Sequence, residues 1–252
     1  MSRNKPVIAK DWYHQSFDAL YPIVYAHRTV DSARAEALFS VEQTKLSKSD
    51  TVLDLCCGNG RHIAHLLQHA KRVVGLDFSP HLLNLARETV RDEALLVRAD
   101  MRNQPFEDAF DVVMNYFTSF GYFQSEEENL SVVHEMAKAL KNGGRFFIDY
   151  LNRNWAEAHV EAESVRYQDE YEIREERWID TESHRINKTT IVSKDGKRLG
   201  ESGESVKLYT LDEITALLDR GGLQVESTYG DYSGSTCCDP SQPRMIIVGR
   251  KG

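Results

Sequence analysis

No stretch of this chain approaches the run of about eighteen apolar residues that a membrane-spanning helix needs, and the first thirty residues hold no apolar leader-like core. A cytoplasmic protein with no membrane partner is therefore expected. Blocks of lysine or arginine are also missing. Against 31 basic residues stand 39 acidic ones, for a formal net charge of −8, and an acidic body repels polyanions unless its cations gather on one face. Nucleic acid is accordingly not an expected partner. Cysteine is scarce: four residues in two adjacent pairs, Cys56-Cys57 and Cys237-Cys238. Neighbours bridge only through a strained turn, so free thiols are expected. Without C-x-x-C spacing, no metal site is expected either. The G-x-S-x-G elbow of many hydrolases is absent, as is the G-K-[ST] of a phosphate-binding loop.

What the chain does have is an alternation of short β-branched runs with helical stripes from about residue 51 to 150, the pattern of a parallel sheet wrapped by crossover helices. Strands are expected at 51–55, 73–77, 95–98, 110–115 and 145–150. Between them, Ile63, Leu66, Leu67 and Ala70 mark one helix that starts at Arg61, and Ser79-Pro80 caps a second. A third follows Glu126, Glu127 and Glu128 and is expected to stop at Asn142-Gly143-Gly144. The rhythm then changes. Residues 164–209 alternate like an antiparallel meander, with Asp195-Gly196 as a turn, and a helix from Leu211 precedes a closing hairpin of strands at 223–229 and 245–248. Ahead of the sheet, Phe17, Leu20, Tyr21, Val24, Tyr25 and Arg28 fall on helical spacing interrupted by Pro22, which suggests a broken helix across the sheet's open end.

The chemistry concentrates at strand ends, where open α/β sheets bind ligands. Val52 to Arg61 reads as a strand entering the glycine turn Gly58-Asn59-Gly60. At the end of the second strand stands Asp77, placed to accept both hydroxyl hydrogens of a ribose, and Asp100 follows the third strand, placed for an adenine amino group with Met101 packing on the ring. The bland alternative is that both aspartates cap turns. A dinucleotide site does not fit, because its third glycine would fall on Ile63.

Together these residues, with 110–115 and 140–149, resemble the class I S-adenosylmethionine-dependent methyltransferases of small-molecule type. The resemblance implies an α/β fold, Rossmann-like, with seven strands, mostly parallel and the last antiparallel. It implies S-adenosylmethionine as cofactor and S-adenosylhomocysteine as product. Asp54, Gly58 and Gly60 would then hold the methionine end, Asp77 the ribose, and Asp100 with Met101 the adenine; Cys56, Asn59, Phe78 and Asn115 complete the implied cofactor-binding set. One departure stands out: the family usually has glycine where this chain has Cys56.

Four stretches follow from this organisation: an N-terminal helical lid segment at 1–45, the cofactor-binding core at 46–154, an antiparallel β insertion at 155–209 acting as lid or dimer surface, and the completion of the core at 210–252. Arg28 is expected to grip the methionine carboxylate from the lid. Aromatic residues after the fourth strand, Phe117, Phe120 and Phe123, are divided between acceptor pocket and core. The proline slot that base-amine enzymes carry here is missing. Methyl transfer needs alignment more than acid–base help. Should a base be used, Tyr116, Tyr25 and His27 are the candidates; His62 is expected on the exposed start of its helix, and Asp149 as a further pocket carboxylate. The expected partner is a small-molecule methyl acceptor, with a homodimer as the assembly. RNA or protein methylation, or cofactor binding without catalysis, are the alternatives.

Overall fold

The computed structural model describes residues 5–252; the first four residues of the N-terminal stretch lie outside the described part. Two sheets organise it. Seven strands, β1 (Thr51–Leu55), β2 (Arg72–Asp77), β3 (Leu95–Arg98), β4 (Phe110–Asn115), β5 (Leu140–Leu151), β10 (Leu223–Tyr229) and β11 (Arg244–Lys251), form one sheet in the order β10-β11-β5-β4-β1-β2-β3. Strand β11 runs antiparallel to both β10 and β5, and the remaining pairs are parallel. The inserted meander is a separate four-stranded antiparallel sheet, β6 (Glu163–Gln168), β7 (Tyr171–Asp180), β8 (Arg185–Lys194) and β9 (Lys197–Lys207). Asp195 and Gly196 turn β8 into β9 with φ 50° and 70°, the left-handed pair that a tight hairpin requires.

Among the described residues, eight α-helices flank these strands: α1 (Tyr13–Ser16), α2 (Tyr21–Val24), α3 (Arg34–Gln43), α4 (Ile63–Leu66), α5 (Pro80–Val90), α6 (Glu126–Ala139), α7 (Arg153–His159) and α8 (Leu211–Arg220). On one face of the large sheet, Val133 and Met136 of α6 and Leu217 and Leu218 of α8 bury against β4, β5 and β11. On the other, Phe39, Leu66 and Leu83 bury against β1, β2 and β4. The caps follow the sequence closely. Ser79 accepts from the Leu82 amide, Ser125 from the Glu128 amide, and Thr210 with Glu213 closes a reciprocal capping box.

Three expectations are corrected. Helix α6 stops at Ala139 rather than at the glycines, because Leu140 is fully buried and already pairs with Phe110; residues 141–144 form a bulge instead, with Gly143 at φ 70°. The broken N-terminal helix is two single turns, α1 and α2, and α3 and α7 had no counterpart in the sequence reading. Finally, Cys237 and Cys238 are bonded to each other where free thiols were expected; the left-handed backbone at Cys238, φ 66°, turns neighbouring sulfurs together, while Cys56 and Cys57 stay free.

The insertion and the N-terminal segment are fitted to each other. Gly200 and Gly203 of β9 leave room where a Cβ would meet Leu20 at 2.5 Å and Ile8 at 3.0 Å. Ser16 donates to the Gly203 carbonyl, and Arg166 to the Val24 carbonyl. These contacts hold α1 and α2 between the meander and the open ends of β1, β2 and β4.

Candidate functional site

Leaving β1, the chain turns sharply: Cys56 has φ 64°, Gly58 56° and Gly60 77°. The left-handed backbone at Cys56 explains why glycine suits this position, since a side chain there costs about 1 kcal/mol. The two glycines serve different ends. A Cβ on Gly58 would point into open space, whereas one on Gly60 would sit 3.2 Å from Val90 and 3.3 Å from Ala86, so Gly58 leaves room for a ligand and Gly60 for helix α5.

Behind the turn, the Asp54 carboxylate is buried, and its Oδ2 has no hydrogen-bond partner among the described residues. Burial pushes its acid up to about 7 against the charge of Arg61, and the negative charge of Asp77 adds to the rise. Asn115, at the end of β4, donates to the Leu55 carbonyl at 3.0 Å and leaves its buried Oδ1 without a partner. Two orphaned acceptors beside an open glycine turn fit a ligand that brings hydrogen-bond donors and positive charge, as the amino group of a methionine moiety would.

Asp77 is buried and accepts from the amides of Gly58 and Ser79, both at 2.8 Å. Burial raises its acid, with those amides pulling the other way. The carboxylate thus ties the glycine turn to the next strand end while still facing the cavity. Asp100 is more occupied: Arg102 grips both its oxygens, at 2.6 and 3.1 Å, and stacks on Phe123 at 4.1 Å. Burial would raise the Asp100 acid, but the hydrogen bonds from Arg102 hold it below the usual range. Both aspartates therefore hold their own turns and also line the cavity.

Asp77 and Asp100 line one cavity of about 300 Å³, whereas Asp54, Gly60 and Asn115, expected at the cofactor, fall outside its lining. Its wall at the strand ends includes Cys56, Gly58, Asn59, Asp77, Phe78, Asp100 and Met101; Tyr13, Phe17, Tyr21, Tyr25 and Arg28 line it from the N-terminal segment; Arg177, Lys188 and Glu204 face it from the insertion. Of the three candidate bases, Tyr25 and Tyr116 reach the cavity and His27 does not: it is exposed and outside the lining. Burial, then the nearby Glu204 charge, raises the Tyr25 phenol well above its usual range, and its hydroxyl is held by Glu204 at 2.6 Å. Tyr116 is likewise raised by burial and bonds Ser40 at 2.5 Å. Neither phenol ionises near neutral pH.

The aromatic trio after β4 divides: Phe117 and Phe123 line the cavity, and Phe120 lies in the core. Phe117 and Thr118 have φ 56° and 60°, a strained pair for residues other than glycine. Asp149 holds them there. Expected as a pocket carboxylate, it is instead fully buried and absent from the lining; it accepts from the Phe117 amide at 2.9 Å, from Tyr232 at 2.5 Å and from Arg244 at 2.6 Å. Arg28 lines the cavity and lies between the rings of Tyr25 and Phe117, 3.8 Å from each.

His62 is the clearest correction. Rather than standing exposed, it is buried, stacked at 3.9 Å on Tyr116 and bonded at 2.6 Å to Glu36, which also pairs with Arg61 at 3.0 Å. Burial lowers its imidazolium to about 4, outweighing Glu36, so the ring is neutral at physiological pH. Glu36 lies on α3, which the sequence reading did not find, and no local signal tied it to the glycine turn. Among the described residues no cluster of histidine, cysteine or acidic groups is arranged for a metal ion, and no helix is long and apolar enough to cross a membrane.

A pH dependence follows from Asp54. Below pH 7 its carboxyl is protonated in the free protein, and a cationic ligand group against it favours the ionised form. Binding then releases a proton, so affinity for S-adenosylhomocysteine is expected to rise as pH increases towards 7 and to level off above, by at most about tenfold per pH unit. Calorimetric titration between pH 5.5 and 8 checks this; an equally steep rise in an Asp54→Asn variant would contradict it.

Comparison with known proteins gives concordant relatives. Residues 52–144 match the family model described as a methyltransferase domain. The chain is 27% identical over 228 residues, 85% of its own length and 93% of the relative's, to a dTDP-3-amino-3,4,6-trideoxy-alpha-D-glucopyranose N,N-dimethyltransferase of Streptomyces venezuelae. An uncharacterized methyltransferase of Synechocystis sp. is 32% identical, with 59% of this chain and 70% of that protein covered. In fold, the chain is similar to an S-adenosylmethionine-dependent methyltransferase from Clostridium acetobutylicum, with a TM-score of 0.77 at 17% identity over 95% of this chain and 99% of the other.

Proposed function

The chain belongs to the class I S-adenosylmethionine-dependent methyltransferases, and from that premise we propose that it places the methyl group on an amino nitrogen of a small acceptor of amino-sugar type. The observation that carries this reading is the roofed cavity in which the strand-end acids Asp77 and Asp100 share one space with an aromatic and polar second half. A space of about 300 Å³ closed by α1, α2 and the inserted sheet suits a small molecule. The amino-sugar N,N-dimethyltransferase among its relatives supports nitrogen as the accepting atom.

S-adenosylmethionine supplies an electrophilic methyl group on a sulfonium. The protein's part is to bind, align and exclude water. In this reading Asp54 and the glycine turn hold the methionine amino group, Arg28 its carboxylate, Asp77 the ribose, and Asp100 with Met101 and Phe78 the adenine. Tyr25 and Tyr116, neutral and hydrogen-bonded, shape the wall rather than take a proton. The test is transfer of labelled methyl from S-adenosylmethionine to a panel of small amines, phenols and thiols, read by mass spectrometry. Labelled amines support the reading; labelling confined to oxygen, sulfur or carbon acceptors overturns it.

We propose further that the N-terminal segment works as the lid. On binding S-adenosylhomocysteine, hydrogen-exchange protection of residues 12–30 is expected to rise. Arg28→Ala should weaken that binding about tenfold, the scale of one charge-assisted contact, while Lys10→Ala should leave it unchanged. Protection that does not move, together with unchanged affinity in Arg28→Ala, would refute the lid.

A further inference from the structure

The inserted sheet carries a charge pattern that its own stability does not require. Arg177 of β7 and Lys188 of β8 stand directly opposite each other in the antiparallel register, and Lys188 in turn stands opposite Glu204 of β9. All three side chains line the cavity. Like charges opposite one another destabilise a sheet pair, and here the pair faces the enclosed space and not bulk water. Side-chain exposure is 25% for Arg177 and 14% for Lys188.

Nearby carboxylates do not balance the cations. Glu175, almost fully buried, serves Arg177 at 2.6 Å, Lys188 at 3.7 Å and Arg166 at 3.8 Å. Glu204 adds a second contact to Lys188 at 2.8 Å. Arg28 has no carboxylate partner among the described residues, and its buried Nε has no hydrogen-bond partner. Arg166, Arg177 and Lys188 thus share two carboxylates and Arg28 has none, and of this group Arg28, Arg177, Lys188 and Glu204 line the cavity, in a chain whose net charge is −8. Even with Arg28 given to the methionine carboxylate, three cations face two anions. An excess positive charge in a poorly solvated space is stabilised by an anionic ligand group.

We propose that the Arg177–Lys188 pair is an acceptor-recognition site that receives an anionic group, phosphoryl or carboxylate, carried by the methyl acceptor. This rests on the small-acceptor reading above and adds to it a charged handle. Glu204 limits the site's strength by neutralising part of Lys188. It also keeps the empty site from holding anions indiscriminately.

The experiment titrates the protein saturated with S-adenosylhomocysteine, so that the methionine carboxylate site is filled, with inorganic pyrophosphate and with malonate. Saturable binding of at least one is expected. Lys188→Gln and Arg177→Gln should each weaken it about tenfold, the scale of one charged hydrogen bond, Arg177→Lys should retain it, and Glu204→Gln should tighten it. A purely structural role for these residues predicts loss in every variant, so the gain in Glu204→Gln is the discriminating result. Cooperative thermal unfolding checks that each variant is folded. Preference for pyrophosphate identifies a phosphoryl site, preference for malonate a carboxylate site, and either supports the proposal. It is overturned if neither anion binds the loaded protein, if the anion competes with S-adenosylhomocysteine, or if Lys188→Gln binds as the parent does. Failure of S-adenosylhomocysteine itself to bind would count against the cofactor assignment, not against this site.

Discussion

Replacing Asp149 with alanine is expected to destabilise the protein by about 3–5 kcal/mol, the usual cost of removing one partner from a buried ion pair. Asp149 is 0% exposed and bonds Arg244, whose own side chain is 13% exposed, at 2.6 Å. Its loss would strand that guanidinium and remove the acceptor for Tyr232 and for the Phe117 amide. The effect reaches the site. Phe117 and Thr118 keep their left-handed backbone because Asp149 accepts from both amides, through its side chain for one and its carbonyl for the other. Denaturant unfolding should report the loss, and the double variant Asp149→Ala/Arg244→Met should recover part of it, since the uncompensated charge is then gone. A loss under about 1 kcal/mol in Asp149→Ala would contradict this account.

The same residue marks the limit of what the sequence could disclose. Strand ends were legible because short β-branched, apolar runs stop where polar residues begin, so Asp54, Asp77 and Asp100 could be placed at one sheet edge before any coordinates. Helix starts were legible from single residues such as Ser79 and Thr210, whose caps are local hydrogen bonds. Asp149 sits on the same edge and reads identically in the sequence. Its partners Tyr232 and Arg244 are 83 and 95 positions away, and only the antiparallel return of β11 brings them in. His62 misled for the same reason: Glu36 and Tyr116 bury it from distant segments. In the N-terminal segment, His27 and Arg28 are adjacent, yet only the arginine reaches the cavity. The Arg177–Lys188 pair was hidden differently. Interspersed charges on a meander look the same whether they face solvent or an enclosed space, and only the register of β7 against β8 separates the two.

Asp77→Ala is expected to weaken S-adenosylmethionine binding by about 1–3 kcal/mol, the cost of stranding buried polar partners. Two separable losses contribute. The first is the contact to the ribose hydroxyls in the proposed cofactor site; the second is the bond to the Gly58 amide at 2.8 Å, which fixes the turn on which the methionine end rests. Asp77→Asn separates them, because its one amide oxygen can keep the bond from the Gly58 amide while the charge and the second acceptor, which serves Ser79, are lost. Its affinity should fall between those of the parent and the alanine variant. The fold is expected to persist in both, since β2 keeps the apolar residues Val73, Val74 and Leu76 that bury it. Calorimetric titration of folded protein gives the affinities and thermal unfolding the control. Parent-like affinity in a folded Asp77→Ala protein would remove Asp77 from the cofactor site and, with it, the strand-end reading of that half of the cavity.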